Sequence, residues 1–524
     1  MKFIYRLILL LSFFASAVIA VFSLLVHVER DFIDFSEDIS VKTTNPFWAF
    51  MVAAITIAAD ILLIKILFVH SSSPYRRMLI LFAIFMAVEG IMGAIWISNY
   101  SIMPVADQDR VWGMAEKFAE HAGETGDLSY FQLYPQQKSI SAIMSVFSRL
   151  FHENGMLAYR SFCVICSVIC ILFGGLLAYY MSGKEQAGGL AALLLVEFIP
   201  LFLYSAFIYG TIPSLCFILI AFYAVCRLIK TNRVRYLLLE IICCVLMYAF
   251  YTASLIAMIA ISVTIFVAAA KSWKAQTGRI RSILIGGIVL PILLAFAFSK
   301  GCSYYFMIKT GLSSNTEHIP PSAWVVMGLK SEPAIGAGGY DASNVKLFHE
   351  NENNTEKTDS AAKKEIHQLV SEYVSHKRNS QFFLDKTISQ WTDPTFGGIT
   401  MTVYHNETDR LGSLSSMFVP QILQRTENFL LAIMYTCYLM ASFYFIAQFR
   451  EKNIPPERIL LPVYYMGGFA FQLFWESKSR YCLPYYICLL ILAGIGMSDL
   501  DGWISEIFRS VRFQRRRHNQ NQCG

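Results

Sequence analysis

Two short runs of charged residues stand where apolar stretches of the chain would meet water, and both carry groups able to do chemistry. The first is Met103-Pro104-Val105-Ala106-Asp107-Gln108-Asp109-Arg110-Val111-Trp112. Pro104 stops the preceding apolar stretch, so Asp107 falls about one helical turn beyond it, at the lipid–water boundary. A carboxylate there can take a proton from an attacking hydroxyl. It can equally cap the N-terminus of a helix over 108–120. Capping accounts for the aspartate but not for the long loop 99–160 with two helices along the membrane surface, the second over 140–151. The second run is Trp475-Glu476-Ser477-Lys478-Ser479-Arg480-Tyr481-Cys482-Leu483-Pro484. A guanidinium such as Arg480 can grip two phosphate oxygens at once. The alternative is a side chain that merely reaches for the interface.

The elements that must position these groups follow from composition. Hydrophobic residues make up 56% of the 524 and charged ones 15%, with a mean hydropathy of +0.49. A soluble domain is about a quarter charged. The apolar residues come in runs of about 20, enough to cross a hydrocarbon core of roughly 30 Å. The expected fold is therefore an all-α polytopic membrane protein of about twelve spans. They are 4–26, 47–69, 78–98, 161–181, 188–207, 212–229, 236–251, 253–270, 283–299, 428–448, 459–475 and 483–499. The pair 236–251 and 253–270 meets at Tyr251-Thr252-Ala253-Ser254 with almost no loop, so one long kinked helix is the rival reading there.

Orientation follows from the placement of lysine and arginine. With the N-terminus inside, the short cytoplasmic connections carry Arg76, Arg77, Lys184, Arg227, Lys230, Arg233, Arg235, Lys271, Lys274, Arg279, Arg281, Arg450, Lys452 and Arg458. The tail adds Arg509, Arg512, Arg515, Arg516 and Arg517, read as a topology anchor or a headgroup contact rather than a nucleic-acid site. The outer side receives Glu29, Asp31, Asp34, Glu37 and Asp38 and the long segments 99–160 and 300–427. An even number of spans puts both termini in the cytoplasm, and a plasma-membrane location is expected. Residues 1–20 have the look of a cleaved signal, but the apolar run continues to Val26, so an uncleaved helix is expected.

Other signals exclude function classes. No Walker loop, GxGxxG or HExxH motif occurs, so ATP-driven transport has no engine in this chain. The twelve cysteines show no metal spacing. Cys163, Cys166, Cys170, Cys243 and Cys244 lie inside spans, and Cys302 reaches the outer side, so no disulfide framework is legible. Asp60, Lys65 and Glu89 fall within spans, where a charge costs roughly 2.5–3.5 kcal/mol on insertion scales. Asp60 and Lys65 are five apart, about 140° round a helix, and suit interhelical contacts better than a proton path. The sequons at Asn99, Asn353 and Asn406 are expected to be chance ones.

In order along the chain, the first loop holds Asp-x-x-Arg, Ala115-Glu116-Lys117-Phe118, Gly126-Asp127, Tyr134-Pro135-Gln136-Gln137 and Ala158-Tyr159-Arg160. This order resembles the first outer loop of GT-C glycosyltransferases, the polyprenyl-phosphate-sugar-dependent enzymes that include protein O-mannosyltransferases and lipid A aminoarabinose transferases. Further on stand His318-Ile319-Pro320-Pro321-Ser322-Ala323-Trp324, Gly338-Gly339-Tyr340-Asp341 and Trp391-Thr392-Asp393-Pro394-Thr395-Phe396-Gly397. With the 475–484 run, these are similar to a branch of bacterial GT-C-like membrane proteins, and the likeness covers about 80–499. That family begins at its first span, whereas two helices precede the match here.

The resemblance implies an organisation and a site. Residues 1–77 would be two additional helices, 78–299 the catalytic membrane module, 300–427 an outer cap, 428–499 the last spans and 500–524 a basic tail. In the cap, 345–380 is charged and helical in pattern from Ala361 to Tyr373. Asp107 would be the catalytic base, with Asp109 beside it. Arg480, Lys478 and Tyr481 would hold the donor phosphate, and a fixed cation there lowers the barrier as negative charge grows on the leaving group. Arg110, Tyr134, Gln136, Tyr209, His318 and Trp391 would line the cavity. The reaction would be one inverting displacement from a polyprenyl-phosphate sugar to a glycan, lipid or protein acceptor. No cofactor is expected, although a divalent metal shared by the aspartates would fit, and no nucleic-acid partner. The alternative is a transporter, flippase or polymerase of lipid-linked saccharides. Against transport, no internal repeat is visible.

Overall fold

A computed structural model of the protein describes residues 2–30, 39–68, 73–99, 104, 106–120, 128–312, 317–332, 336–375, 379–403, 420–451 and 453–522. Gly126-Asp127, Asp31, Asp34, Glu37, Asp38 and Asn406 lie outside these residues. What is described is almost wholly helical. The first helices are α1 (Lys2–Leu25), α2 (Pro46–Phe68) and α3 (Pro74–Ser98), with a hairpin of β1 (Val26–Arg30) and β2 (Ile39–Thr43) between α1 and α2. Then come α4 (Asp107–Glu120), α5 (Ser129–Leu133), α6 (Lys138–Phe151) and α7 (Gly155–Ser182). They lead into α8 (Glu185–Glu197), α9 (Pro200–Leu203), α10 (Thr211–Thr231), α11 (Val234–Phe250), α12 (Leu255–Ser272) and α13 (Gly278–Thr310).

The segment that follows contains α14 (Pro321–Gly328), a small hairpin of β3 (Ser331–Glu332) and β4 (Gly336–Ala337), α15 (Ser343–Glu350), α16 (Thr355–Ser375), α17 (Asn379–Trp391) and α18 (Gly398–Val403). The chain closes with α19 (Pro420–Arg450), α20 (Leu460–Phe474) and α21 (Ser479–Gln522).

Among the described residues, nine helices are long and apolar enough to cross a membrane, or ten if one bent pair counts as a span. That pair is α8 with 200–206, bent by 58° where Pro200 cannot continue the helix. The straight span expected at 188–207 is therefore broken. The other two expected spans form shorter helices: α11 has 17 residues and α20 has 15, about 25 and 22 Å long. Tyr251 is extended (φ −154°, ψ 110°), so 234–272 is two helices and not one kinked rod. Gly287 on α13 faces Leu228, Glu240 and Ile265 together, all in the halves of α10, α11 and α12 nearer 231–234 and 272. This agreement in depth makes α11 and α12 run antiparallel.

Two expected boundaries move. Residues 300–310 belong to α13, because Phe306 is buried against Phe118 and Phe131 and keeps the helix winding past Lys300. Cys302 is accordingly a buried helix residue. At the other end of the loop, α6 does not run on into α7. His152 takes a positive φ of 48°, and Phe147 meets Phe162 at 5.4 Å, so the chain doubles back.

The bundle has two unlike ends. One gathers Lys184–Asp499 at 2.7 Å, Lys230–Glu457 at 3.2 Å, Arg458–Glu451 at 2.8 Å and an ion pair of Lys65 with Asp501. Lys65 thus joins α2 to α21, while Asp60 and Glu89 are buried. The opposite end carries α4 to α6 and α14 to α18. The two leading helices are part of the body: α1 packs along α19, and Ser16 hydrogen-bonds Ser442 at 2.9 Å. Between the ends, Gly188 of α8 lies against Gly175 of α7 and Ala191 of α8 against Gly494 of α21, and these small residues let the helices approach closely.

Candidate functional site

The two charged runs named from the sequence meet at the loop end of the bundle. Helix α4 begins at Asp107 itself, after Ala106 at φ 52°, so the aspartate is the first helical residue rather than the cap before 108. A carboxylate in the first turn also suits the helix dipole. The orientation of α4 is fixed one residue on, where buried Gln108 accepts a hydrogen bond from the Ile208 amide at 2.9 Å. Asp107 then faces inward, and its Oδ1 accepts the Tyr130 hydroxyl at 3.1 Å. Burial, followed by the nearness of Tyr209 and Asp107, holds the Tyr130 hydroxyl well above the usual phenol range, so it stays a donor.

Asp109 and Arg110 are exposed, and Asp109 sits about 200° round the helix from Asp107. The two aspartates cannot share a metal from one face. Among the described residues no group of three metal-binding side chains comes together. In the Tyr134-Pro135-Gln136-Gln137 turn, Gln136 is exposed and Gln137 is the inward residue, donating to the Tyr209 hydroxyl. Tyr209 is further fixed by Tyr159, whose hydroxyl donates to its carbonyl at 2.9 Å. The Tyr209-Gly210 pair needs its glycine, since a Cβ at 210 would overlap the Phe250 carbonyl oxygen. That close approach brings Tyr251 to Tyr209, with ring centroids 6.5 Å apart.

Opposite stands the segment 475–481 between α20 and α21. Arg480 lies over the rings of Tyr481 at 5.1 Å and Phe207 at 5.9 Å. Its Nη2 reaches the Tyr481 hydroxyl at 3.4 Å, and that hydroxyl donates to Glu476 at 3.3 Å. Lys478 pairs with Glu476 at 3.0 Å and sits 5.1 Å over Tyr340. Tyr209 and Tyr251 both feel the charges of Asp107 and Arg480. The base candidate and the cation candidate thus share one aromatic surround.

Rings complete the link on the loop side. Tyr130 and Tyr134 are 5.0 Å apart, Tyr134 and Trp324 5.8 Å, and Trp324 stacks parallel to Trp475 at 5.9 Å. Tyr134 also hydrogen-bonds Tyr340.

Two predicted lining residues lie elsewhere. Trp391 is buried among Tyr465 and Phe469, and its carbonyl accepts the Tyr438 hydroxyl at 2.6 Å. His318 is tied through its backbone to Thr355 at 2.8 Å, where the cap helix α16 starts. The residue of the Trp391–Gly397 motif that touches the site is Asp393. Its carboxylate accepts Ser479 Oγ at 2.7 Å and the amides of Thr395 and Gly397 at 2.9 and 3.1 Å, so it pins the residue next to Arg480.

The sequence reading missed Tyr130, Gln137, Tyr251 and Asp393. Gln137 and Asp393 lie inside motifs already singled out, whereas Tyr130 and Tyr251 carry no local signal. No protein-family model matches the chain, and no curated protein does.

Proposed function

We propose that the protein is an inverting glycosyltransferase that moves a sugar from a polyprenyl-phosphate donor to an acceptor on the outer face of a cell membrane. The observation that carries the reading is that Asp107 and Arg480, from segments more than 350 residues apart, both act electrostatically on Tyr209 and Tyr251. A prenyl chain stays in the bilayer while its phosphate lies at the interface, the level at which Arg480 and Lys478 stand. The guanidinium takes phosphate oxygens and stabilises the charge that develops on the leaving group. Asp107, held by Tyr130, accepts the proton of the acceptor hydroxyl as it attacks the anomeric carbon. One displacement inverts that centre.

This reading places the loop end outside, the basic end in the cytoplasm, and twelve crossings between them, with α11, α20 and the broken α8–α9 counted as spans. The basic ion-paired end favours that orientation. In intact cells, Glu350→Cys should react with an impermeant thiol reagent and Arg233→Cys should not. The converse labelling would remove the site from the outer face. For the chemistry, purified protein is incubated with a panel of radiolabelled polyprenyl-phosphate sugars, scoring hydrolysis and transfer. A protein that neither binds nor turns over any of them is not this enzyme.

A further inference from the structure

Lys386 has no role in the chemistry proposed above, yet it is a lysine with no exposed surface beside the donor cations. It projects from α17 into the gap between α14 and the 475–481 segment. Its ammonium donates to the Trp475 carbonyl at 2.6 Å and to the Gly328 carbonyl at the end of α14. Gly338, at φ 73°, passes so close that a Cβ there would be 2.6 Å from Nζ. The Gly338 carbonyl in turn receives the Ser477 amide at 2.6 Å. One side chain therefore ties α14, the Gly338 strand and the cation segment together. Ser389, one turn along α17, adds a contact to Ser477 at 3.0 Å.

We propose that Lys386 is a positioning residue of the donor site: it fixes the segment that presents Lys478 and Arg480, and its positive charge favours phosphate capture. This rests on the function proposed above. The two carbonyls it holds belong to the end of α14 and to the cation segment, and the ammonium adds positive charge beside an anion site.

The surroundings let that charge change near neutrality. Burial is the largest influence on Lys386 and brings its pKa down from 10.5 to about 7, with Cys482 and Glu476 opposing. The charged groups on the neighbouring elements are otherwise engaged. Glu476 is paired with Lys478, Lys330 beyond α14 with Glu365 on α16 at 2.8 Å, and Asp385 on α17 accepts from Gln381 at 2.7 Å. Tyr373 donates to the Leu329 carbonyl at 2.7 Å, and Cys482 is a buried thiol. On its own helix Lys386 lies 5.8 Å over Phe382, which favours the charged form.

The test uses full-length protein in nanodiscs with the methyl diester of farnesyl phosphate, a phosphodiester that does not titrate near neutrality. Two readouts are taken one pH unit on either side of about 7: affinity for the diester, and amide hydrogen exchange of 475–481 corrected for intrinsic base catalysis. Wild type should bind roughly fivefold more weakly at the higher pH, as the charge beside the anion site is lost, while its exchange should not rise there, because an opening that solvates Lys386 is disfavoured once the buried amine is neutral. Lys386→Met should show the weak affinity and fast exchange at both pH values. Lys386→Arg, charged throughout, should remove the pH dependence and keep affinity nearer the low-pH level. If Lys386→Met binds and exchanges like wild type, the proposal is overturned. If exchange responds as expected but wild type binds no diester, the tether stands and the donor reading fails instead.

Discussion

Asp107 and Arg480 border the same two tyrosines, Tyr209 and Tyr251, from supports of different kind. The Asp107 side is held through Gln108, Gln137 and a set of tyrosines, and the aspartate itself is half-buried on a short helix. The Arg480 side is held from beneath by buried charge: Asp393 through Ser479, and Lys386 through the Trp475 carbonyl. Buried charge is costly to disturb, because removing one partner strands the others in a medium without water. An aromatic surround with a few neutral hydrogen bonds is cheaper to rearrange. Under the proposed function, a hydroxyl acceptor would come and go past the base, whereas the donor phosphate would need a fixed cation as charge develops. The comparison assigns rigidity to the donor side and adaptability to the acceptor side.

The largest effect should come from the adaptable side, because that is where the proton goes. Asp107→Asn keeps size and still suits a helix start. It should lower turnover by at least about a hundredfold while donor affinity stays within about twofold. Near-native transfer by a folded Asp107→Asn protein would leave the aspartate a structural residue and the mechanism without a base.

Next in size is the cation. Arg480→Ala should weaken donor binding by roughly ten- to a hundredfold, the worth of one charge-assisted hydrogen bond, and Arg480→Lys should recover only part. Equal donor affinity in all three proteins would remove Arg480 from the site. Asp393→Asn separates support from contact. It should cost about 2 kcal/mol of stability by placing an amide against the Ser479, Thr395 and Gly397 donors, and weaken the donor several-fold with turnover of bound donor unchanged. A loss of turnover alone would place Asp393 in the chemistry.

Much of this was legible in the chain, for reasons that also mark the limit. The long spans follow from apolar run length, and Asp107 and Arg480 from their position at the ends of such runs. The rival reading at Tyr251-Thr252 turned on a single extended residue, and the unexpected break in 188–207 on a single proline, neither of which run length resolves. Tyr130, Tyr251 and Lys386 were invisible because their significance lies in partners up to 89 residues away. Trp391 drew notice as the large residue of its motif, but the motif's contact with the site is made by Asp393, a smaller neighbour in the turn that follows.

Two smaller effects sharpen the comparison. Tyr130→Phe removes the hydrogen bond that Tyr130 gives Asp107 on the adaptable side and should cost roughly three- to tenfold in turnover with little change in melting temperature. A large fall in stability would mean that this side is as rigid as the other. Lys386 predicts a slope. Its folded pKa of about 7 lies below the ordinary 10.5, so between those values the unfolded chain binds the extra proton and stability rises with pH. Below about 7 both states are charged and the slope vanishes. Lys386→Met should flatten this rise in a thermal-unfolding series, and an unchanged slope would assign it to other groups.

The short helices have a consequence for the bilayer. Tyr251 and Trp475 each stand at the end of a helix of 17 or 15 residues, about 25 and 22 Å, and Tyr209 follows a helix broken at Pro200. Both lengths are shorter than a hydrocarbon core of roughly 30 Å. A bilayer that thins to match them would form a dimple beside the site. Under the proposed function, a polyprenyl phosphate at that dimple would keep its phosphate level with Arg480 without leaving its own leaflet. Membrane thickness thereby becomes part of substrate access, and vesicles of longer acyl chains, which resist the dimple, should slow donor capture before they slow transfer.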